Sequence, residues 1–192
     1  MEAQTFHGGV LLGITAAQVD GDTYSGYNKP GIIGGVFITT SRAHRFGGKM
    51  EIRYAARGAK EPAADDNTGY YKLALHYIDV PVMVTYSFKK FGQIEAGLIP
   101  GYLFAIHGED DYGIMPSEYI TAFRKFDLGT LIGVNIQLLP SLSLNFRYSY
   151  SIFSIREDET EGSYYSWYGR LFGYSSGDYN NYLALSINYL IR

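Results

Sequence analysis

Between Leu128 and Ile152 the chain reads LGTLIGVNIQLLPSLSLNFRYSYSI, and the even positions are almost all bulky and apolar. Ile132, Val134, Ile136, Leu142, Leu144, Phe146, Tyr148 and Ile152 fall on one side. Gly129, Gly133, Asn135, Gln137, Ser143, Asn145, Arg147, Ser149 and Ser151 fall on the other. Period-two alternation over this length, interrupted only at Leu139-Pro140-Ser141, predicts two antiparallel strands joined by a tight turn. One face is greasy and the other is small, polar and carries an arginine. The medium that each face meets decides what kind of protein this is.

The same alternation recurs along the whole chain. Eight segments carry it, near residues 6–19, 30–41, 47–58, 70–88, 92–107, 123–139, 141–155 and 180–192. None has the 3.6-residue period of an amphipathic helix. The fourth segment changes apolar phase near Tyr77, which predicts a β-bulge there. The connections alternate in length. Those at 20–29, 59–69, 108–122 and 156–179 are long, whereas SRAHRF, KKFG and Leu139-Pro140-Ser141 are short. The long ones are rich in Asp and Glu, and the short ones carry Arg42, Arg45, Lys89 and Lys90. Short turns at one end and long loops at the other are the pattern of an up-and-down outer-membrane barrel with periplasmic termini and extracellular loops.

Composition bears on which face is outside. A soluble barrel would turn its greasy face inward and cover its polar face with Lys, Glu, Thr and Gln. Here the polar face is mostly Gly, Ser, Asn and Ala, residues that fit the filled lumen of an eight-stranded barrel. The bulky face ends in Tyr86 and Phe88 at one end, and in Tyr102, Phe104, Tyr148, Tyr150 and Phe153 at the other. These are placed as two interfacial girdles. A strand of about 12 residues tilted by about 45° spans roughly the hydrocarbon thickness. The expected fold is therefore all-β: one domain over residues 6–192, an eight-stranded antiparallel up-and-down transmembrane β-barrel. A soluble barrel or sandwich is the alternative, because alternation alone does not distinguish inside from outside. The net charge of −3 gives no reason to expect nucleic acid, and the absence of cysteine excludes disulfides and thiolate metal sites.

Several stretches also carry a family resemblance. They are GVLLGITAAQVDGDTYSGYNKPGIIGG, EIRYAARGAK, YYKLALHYIDVPVMVTY, GQIEAGLIPGYLFA, LSLNFRYSYSI and NNYLALSINYLIR. Together they resemble the PorT-like outer-membrane β-barrel family of Bacteroidetes, from about Phe6 to Arg192. The resemblance implies an outer-membrane barrel, and its founding member implies a role in the secretion and gliding machinery of the envelope. It carries over no catalytic residue. The expectation is a non-catalytic accessory or structural subunit of an envelope complex, with protein partners, outer-membrane lipid and lipopolysaccharide around it and no cofactor. A free-standing surface binder of glycan, lipid or protein, and a lipid-modifying barrel enzyme, are the alternatives.

Candidate sites follow from the same pattern. Lys49, Glu51, Arg53, Asp79, Glu95, Asp127 and Arg147 fall on the inward face, three cations and four anions, and buried charges need partners. They are expected to form an interlocked salt-bridge core that plugs the barrel; a narrow ion path is the alternative. The loop 156–179 gathers Tyr164, Tyr165, Trp167, Tyr168, Arg170 and Phe172, the aromatic-plus-arginine composition of binding hot spots. The four histidines lack metal-ligand spacing. His107 with Glu109, Asp110, Asp111 and Ser117 is the residue set an enzyme would use. Asp20-Gly21-Asp22, Glu109–Asp111 and Glu157–Glu159 are oxygen-rich and suit a divalent cation, or simply solvated loop tips.

Overall fold

The computed structural model describes residues 6–22, 26–40, 45–61, 70–89, 92–115, 122–156 and 177–191. Among the described residues ten strands form in order: β1 (Phe6–Asp20), β2 (Lys29–Thr40), β3 (Phe46–Glu61), β4 (Tyr71–Asp79), β5 (Val82–Lys89), β6 (Gly92–Asp110), β7 (Gly113–Ile114), β8 (Phe126–Leu139), β9 (Leu142–Ser151) and β10 (Tyr179–Leu190). All pair antiparallel. β1 lies between β2 and β10, and the ladder runs on through β9, β8, β6, the β4/β5 pair and β3 back to β2. The sheet closes on itself, so no edge is left open.

Ten strands make eight staves. β4 and β5 both pair with β3 on one side and β6 on the other, and are two halves of one stave. The break falls at Val80-Pro81, where proline has no N–H to give the ladder. The ladder bridges it: Glu51 N–H donates to the Pro81 carbonyl at 3.0 Å and Val80 N–H to the Pro100 carbonyl at 2.8 Å. β7 is no stave but a two-residue return that pairs Ile114 with Glu109 and Gly113 with Asp110. The eight predicted segments are thus the eight staves. Their ends differ by a few residues: β6 runs on to Asp110, while β8 starts at Phe126 and β9 stops at Ser151.

The predicted irregularity near Tyr77 is present, but with a different cause. His76 pairs with Ala105 and Tyr77 with Leu103, so the extra residue is Phe104 on β6. β4 itself keeps one phase, with Tyr71, Leu73, Leu75, Tyr77 and Asp79 all buried in the lumen. The change in apolar phase reflects a lumen that turns from polar to apolar towards the long-loop end.

Facing is inverted relative to a water-soluble core. Leu12 is 71% exposed, Ile14 61%, Val84 60% and Ile132 57%, while Arg53, Arg147, Glu51 and Glu95 are at most 1% exposed. The outward wall is an apolar band bounded by aromatic rings. Phe46 and Tyr86 lie 5.0 Å apart at the short-turn end; Tyr102 and Phe126 lie 5.2 Å apart towards the other. Such a wall suits a bilayer core, where closed strands leave no backbone group unpaired.

Candidate functional site

The lumen is where the sequence puts its most costly residues. β3 delivers Lys49, Glu51, Arg53 and, beyond the buried Ala55, Arg57 inward on its odd-numbered positions; β4 adds Asp79, β6 Glu95, β8 Asp127 and β9 Arg147. All seven predicted residues meet in one network, and Arg57 is an eighth that the sequence reading omits. Its signal was available, because Arg57 continues the same odd-numbered phase as Arg53. With it the network holds four cations and four anions among the described residues and is neutral in sum.

The network has two connected halves. In the first, the Arg147 guanidinium donates to Glu51 through Nη1 (2.8 Å) and Nη2 (2.7 Å), and to Glu95 through Nη2 (2.7 Å) and Nε (3.0 Å). Asn145 donates to the same Glu95 oxygen at 2.9 Å. Lys49 Nζ sits 3.2 Å from both Glu51 Oε1 and Glu95 Oε1. In the second, Arg57 donates to Asp79 and, at 3.0 Å, to Asp127, with its guanidinium 4.3 Å from the Tyr77 ring centre. Ser151 and Asn180 donate to the same Asp127 oxygen at 2.8 and 3.1 Å. Arg53 joins the halves, donating to Glu51 at 3.2 Å and to the Tyr182 hydroxyl at 2.9 Å, with Nε 3.5 Å from Asp79. At least one charge-assisted hydrogen bond to each ion offsets the cost of burying so many charges.

Glycines make room for the arginines. Gly133 stands opposite Arg147 and Gly35 opposite Arg53. A β-carbon on Gly133 would fall 2.6 Å from Arg147 Cγ, and one on Gly35 2.7 Å from Arg53 Cβ. The small residues on the inward face are therefore the complement of the large charged ones.

Two different layers flank the network. Towards the short turns lies a cavity of about 330 Å³ lined by His7, Phe37, Thr39, Gln93, Asn135 and Asn188 among others, with Lys49 in its wall. Towards the long loops, Val19, Leu73, Leu75, Leu103, Met115, Phe123 and Ile155 pack into a buried apolar layer with Tyr77. Met115 reaches it because β7 folds the chain back, its N–H donating to the Gly108 carbonyl at 3.1 Å. The segment 108–122, expected as a long loop, thus contributes Met115 to an apolar lid. Polar vestibule, ion network and apolar lid stack along one axis.

The alternative sites are not assembled in this way. His107 faces outward, edge-on to His76 with ring centres 5.5 Å apart. Glu109 accepts hydrogen bonds from Lys72 (3.1 Å) and Tyr70 (3.3 Å), Asp110 accepts from the Tyr112 N–H, and Asp111 from the Tyr70 N–H. The hydrogen bond from Lys72 holds the Glu109 carboxyl below the usual carboxylate range, and the same bond raises the Lys72 ammonium. Each of these carboxylates is thus engaged by a neighbouring donor. Among the described residues no group of three or more His, Asp or Glu is placed to hold a metal ion. Ser117, Glu157–Glu159 and the aromatic set Tyr164, Tyr165, Trp167, Tyr168, Arg170 and Phe172 lie outside the described residues.

Comparison with known proteins bears on this architecture. Residues 2–157 match the family model described as outer membrane protein beta-barrel domain. Among solved structures, Ail, the attachment invasion locus protein of Yersinia pestis, crystallised with the heparin analogue sucrose octasulfate, is similar in fold. It has a TM-score of 0.55 and 11% identity over 97% of this chain and 99% of that one. Neisserial surface protein A gives a TM-score of 0.57 and 12% identity, covering 98% and 99%. At these identities the likeness concerns the fold. No curated protein sequence matches the chain.

Proposed function

Since the chain belongs to the outer membrane protein beta-barrel domain family, we propose that it serves as a closed, non-catalytic barrel whose work is done on its outer surfaces. The observation that carries this reading is the stacked lumen. A neutral network of eight buried charges lies under an apolar layer, and an eight-stranded barrel is already narrow enough to be filled by side chains. A filled lumen is a support for surfaces, so binding falls to the loops and the lipid-facing wall.

In this reading the short turns and both termini face the periplasm and the long loops face outward. The barrel is an accessory or structural subunit of an envelope complex of the secretion or assembly kind, as the PorT-like resemblance implies. Its loops, 156–179 foremost, and one side of its wall contact a larger partner. Orientation is testable because the chain has no cysteine. A single cysteine placed at Tyr112 reacts with an impermeant maleimide on intact cells, and one at Ser141 reacts only after the outer membrane is opened. The reverse pattern overturns the orientation.

The subunit role is tested by extracting native membranes with a mild detergent and sizing whatever contains the chain. Recovery in a large assembly supports it. Recovery as a lone barrel contradicts it and favours a free-standing surface binder.

A further inference from the structure

The cavity at the short-turn end is a blind vestibule, closed at its inner end by the charged network. Strand parity stacks two tiers of amides and hydroxyls there. Gln93, Asn135, Asn145 and Ser186 are successive partners across β6, β8, β9 and β10, one inward step from Glu95 and Arg147. Gln137, Ser143 and Asn188 form the next tier towards the mouth. Gln93 and Asn135 of the first tier, and all three of the second, line the cavity. Each stands on a strand, so its place does not depend on the connecting turns.

These amides carry hydrogen-bonding capacity that the fold does not use. Asn135 and Asn188 are both buried. Asn188 accepts from the Ser186 hydroxyl at 3.4 Å, but its Nδ2 has no protein partner, and neither has Oδ1 of Asn135 or of Asn145. An unpaired buried amide is costly, and three are kept at this one end of the lumen. The terminal torsion of asparagine is broad, so the two lining amides can turn their free atoms to a ligand. Charge is already compensated: Lys49 lies 3.2 Å from both Glu51 and Glu95 and 4.7 Å from the Phe37 ring centre, and among the described residues no carboxylate lines the cavity. Phe37 on β2 and Asn135 on β8 are four staves apart in the closed ladder, so an apolar wall stands across the lumen from an amide wall.

We propose that this vestibule binds a neutral saccharide about the size of one or two pyranose rings. Its volume of about 330 Å³ corresponds to roughly ten waters, which sets that size. Each sugar hydroxyl both donates and accepts, matching a free acceptor on Asn135 and a free donor on Asn188. The C–H face of the ring suits the wall of Phe37, Pro140 and Leu190. An anion gains little here, because Lys49 is shared by two carboxylates. The network below bars onward passage, so the site captures a sugar without conducting it. It lies apart from the outer surfaces on which the proposed function rests, and binding to it does not depend on which way the barrel is oriented.

The experiment uses the full chain refolded in lauryldimethylamine oxide, a detergent without a sugar headgroup. The probes are glucose, N-acetylglucosamine and cellobiose, with N-acetylleucinamide as a neutral amide and inorganic phosphate as an anion. Binding is followed by saturation-transfer NMR. At the site itself it is read from the rate at which a maleimide alkylates the single cysteine of Ser143→Cys, in a chain that otherwise has none. At least one of the sugars should bind saturably and slow that alkylation severalfold. Asn135→Leu and Asn188→Leu each remove an amide that the fold leaves incompletely bonded, and each should weaken sugar binding by about tenfold without lowering the urea unfolding midpoint. No saturable sugar binding, a preference for N-acetylleucinamide or phosphate over the sugars, alkylation indifferent to a bound sugar, or unchanged affinity in both Asn variants would each overturn the proposal.

Discussion

Arg147 and Glu51, 96 residues apart in sequence, meet across the lumen through two parallel hydrogen bonds of 2.8 and 2.7 Å. The pair is two-pronged because a guanidinium offers a planar fork that matches a carboxylate. Removing the arginine leaves Glu51 and Glu95 buried with Lys49 and Arg53 as the remaining cations. Arg147→Met is expected to destabilise the barrel by about 3–5 kcal/mol, read from urea unfolding in lipid vesicles. Adding Glu51→Gln restores neutrality and should recover part of that loss. A double variant no more stable than the single one would show that charge balance is not what holds the network.

Arg57 bridges the two aspartates of the upper half. Arg57→Met should cost about as much as Arg147→Met, since it strands Asp79 and Asp127 together. The exposed Lys72–Glu109 pair provides the contrast: Lys72→Met should leave the unfolding midpoint where it is, because a solvated pair contributes little. Equal effects at Arg57 and Lys72 would contradict the burial of the network.

Gly133 tests the packing side of the same arrangement. A β-carbon there would lie 2.6 Å from Arg147 Cγ and 2.8 Å from the Phe146 carbonyl oxygen. Gly133→Val should therefore destabilise by about 1–3 kcal/mol even though valine suits a strand. Gly34, which faces lipid opposite Leu12, should accept the same change at much smaller cost.

The lipid-facing assignment predicts a different response at mid-wall. Ile132 is 57% exposed and sits in the middle of β8. Ile132→Arg should cost about 2–4 kcal/mol in a bilayer, falling towards zero at positions near either aromatic band. In a water-soluble barrel the same change on an exposed side chain would be nearly neutral. The depth dependence, measured along β8, discriminates between the two.

Most of this architecture was legible because a barrel stave writes its facing into every residue. Lys49, Glu51 and Arg53 alternate with Met50 and Ile52, and both faces of β3 can be assigned by parity. Arg57 was overlooked because it lies in AARGAK, where the outward neighbours Ala56 and Gly58 are too small to mark a greasy face. Tyr77 misled for the opposite reason. Its inward neighbours Leu73 and Leu75 are apolar, so a change in what fills the lumen resembled a change in which way the strand faces. The lid was invisible for a third reason. Met115 lies in a loop without periodicity, and only the fold-back at Gly113–Ile114 brings it over Gly108.

The most direct measurement of the closed-lumen account is single-channel recording of the purified, refolded chain in planar bilayers under applied voltage. The stacked vestibule, neutral ion network and apolar lid predict no steady conductance at neutral pH and moderate salt. Reproducible open-channel steps from the wild-type chain would contradict the account, and would turn the network of Lys49, Glu51, Arg53, Arg57, Asp79, Glu95, Asp127 and Arg147 from a plug into the lining of a path.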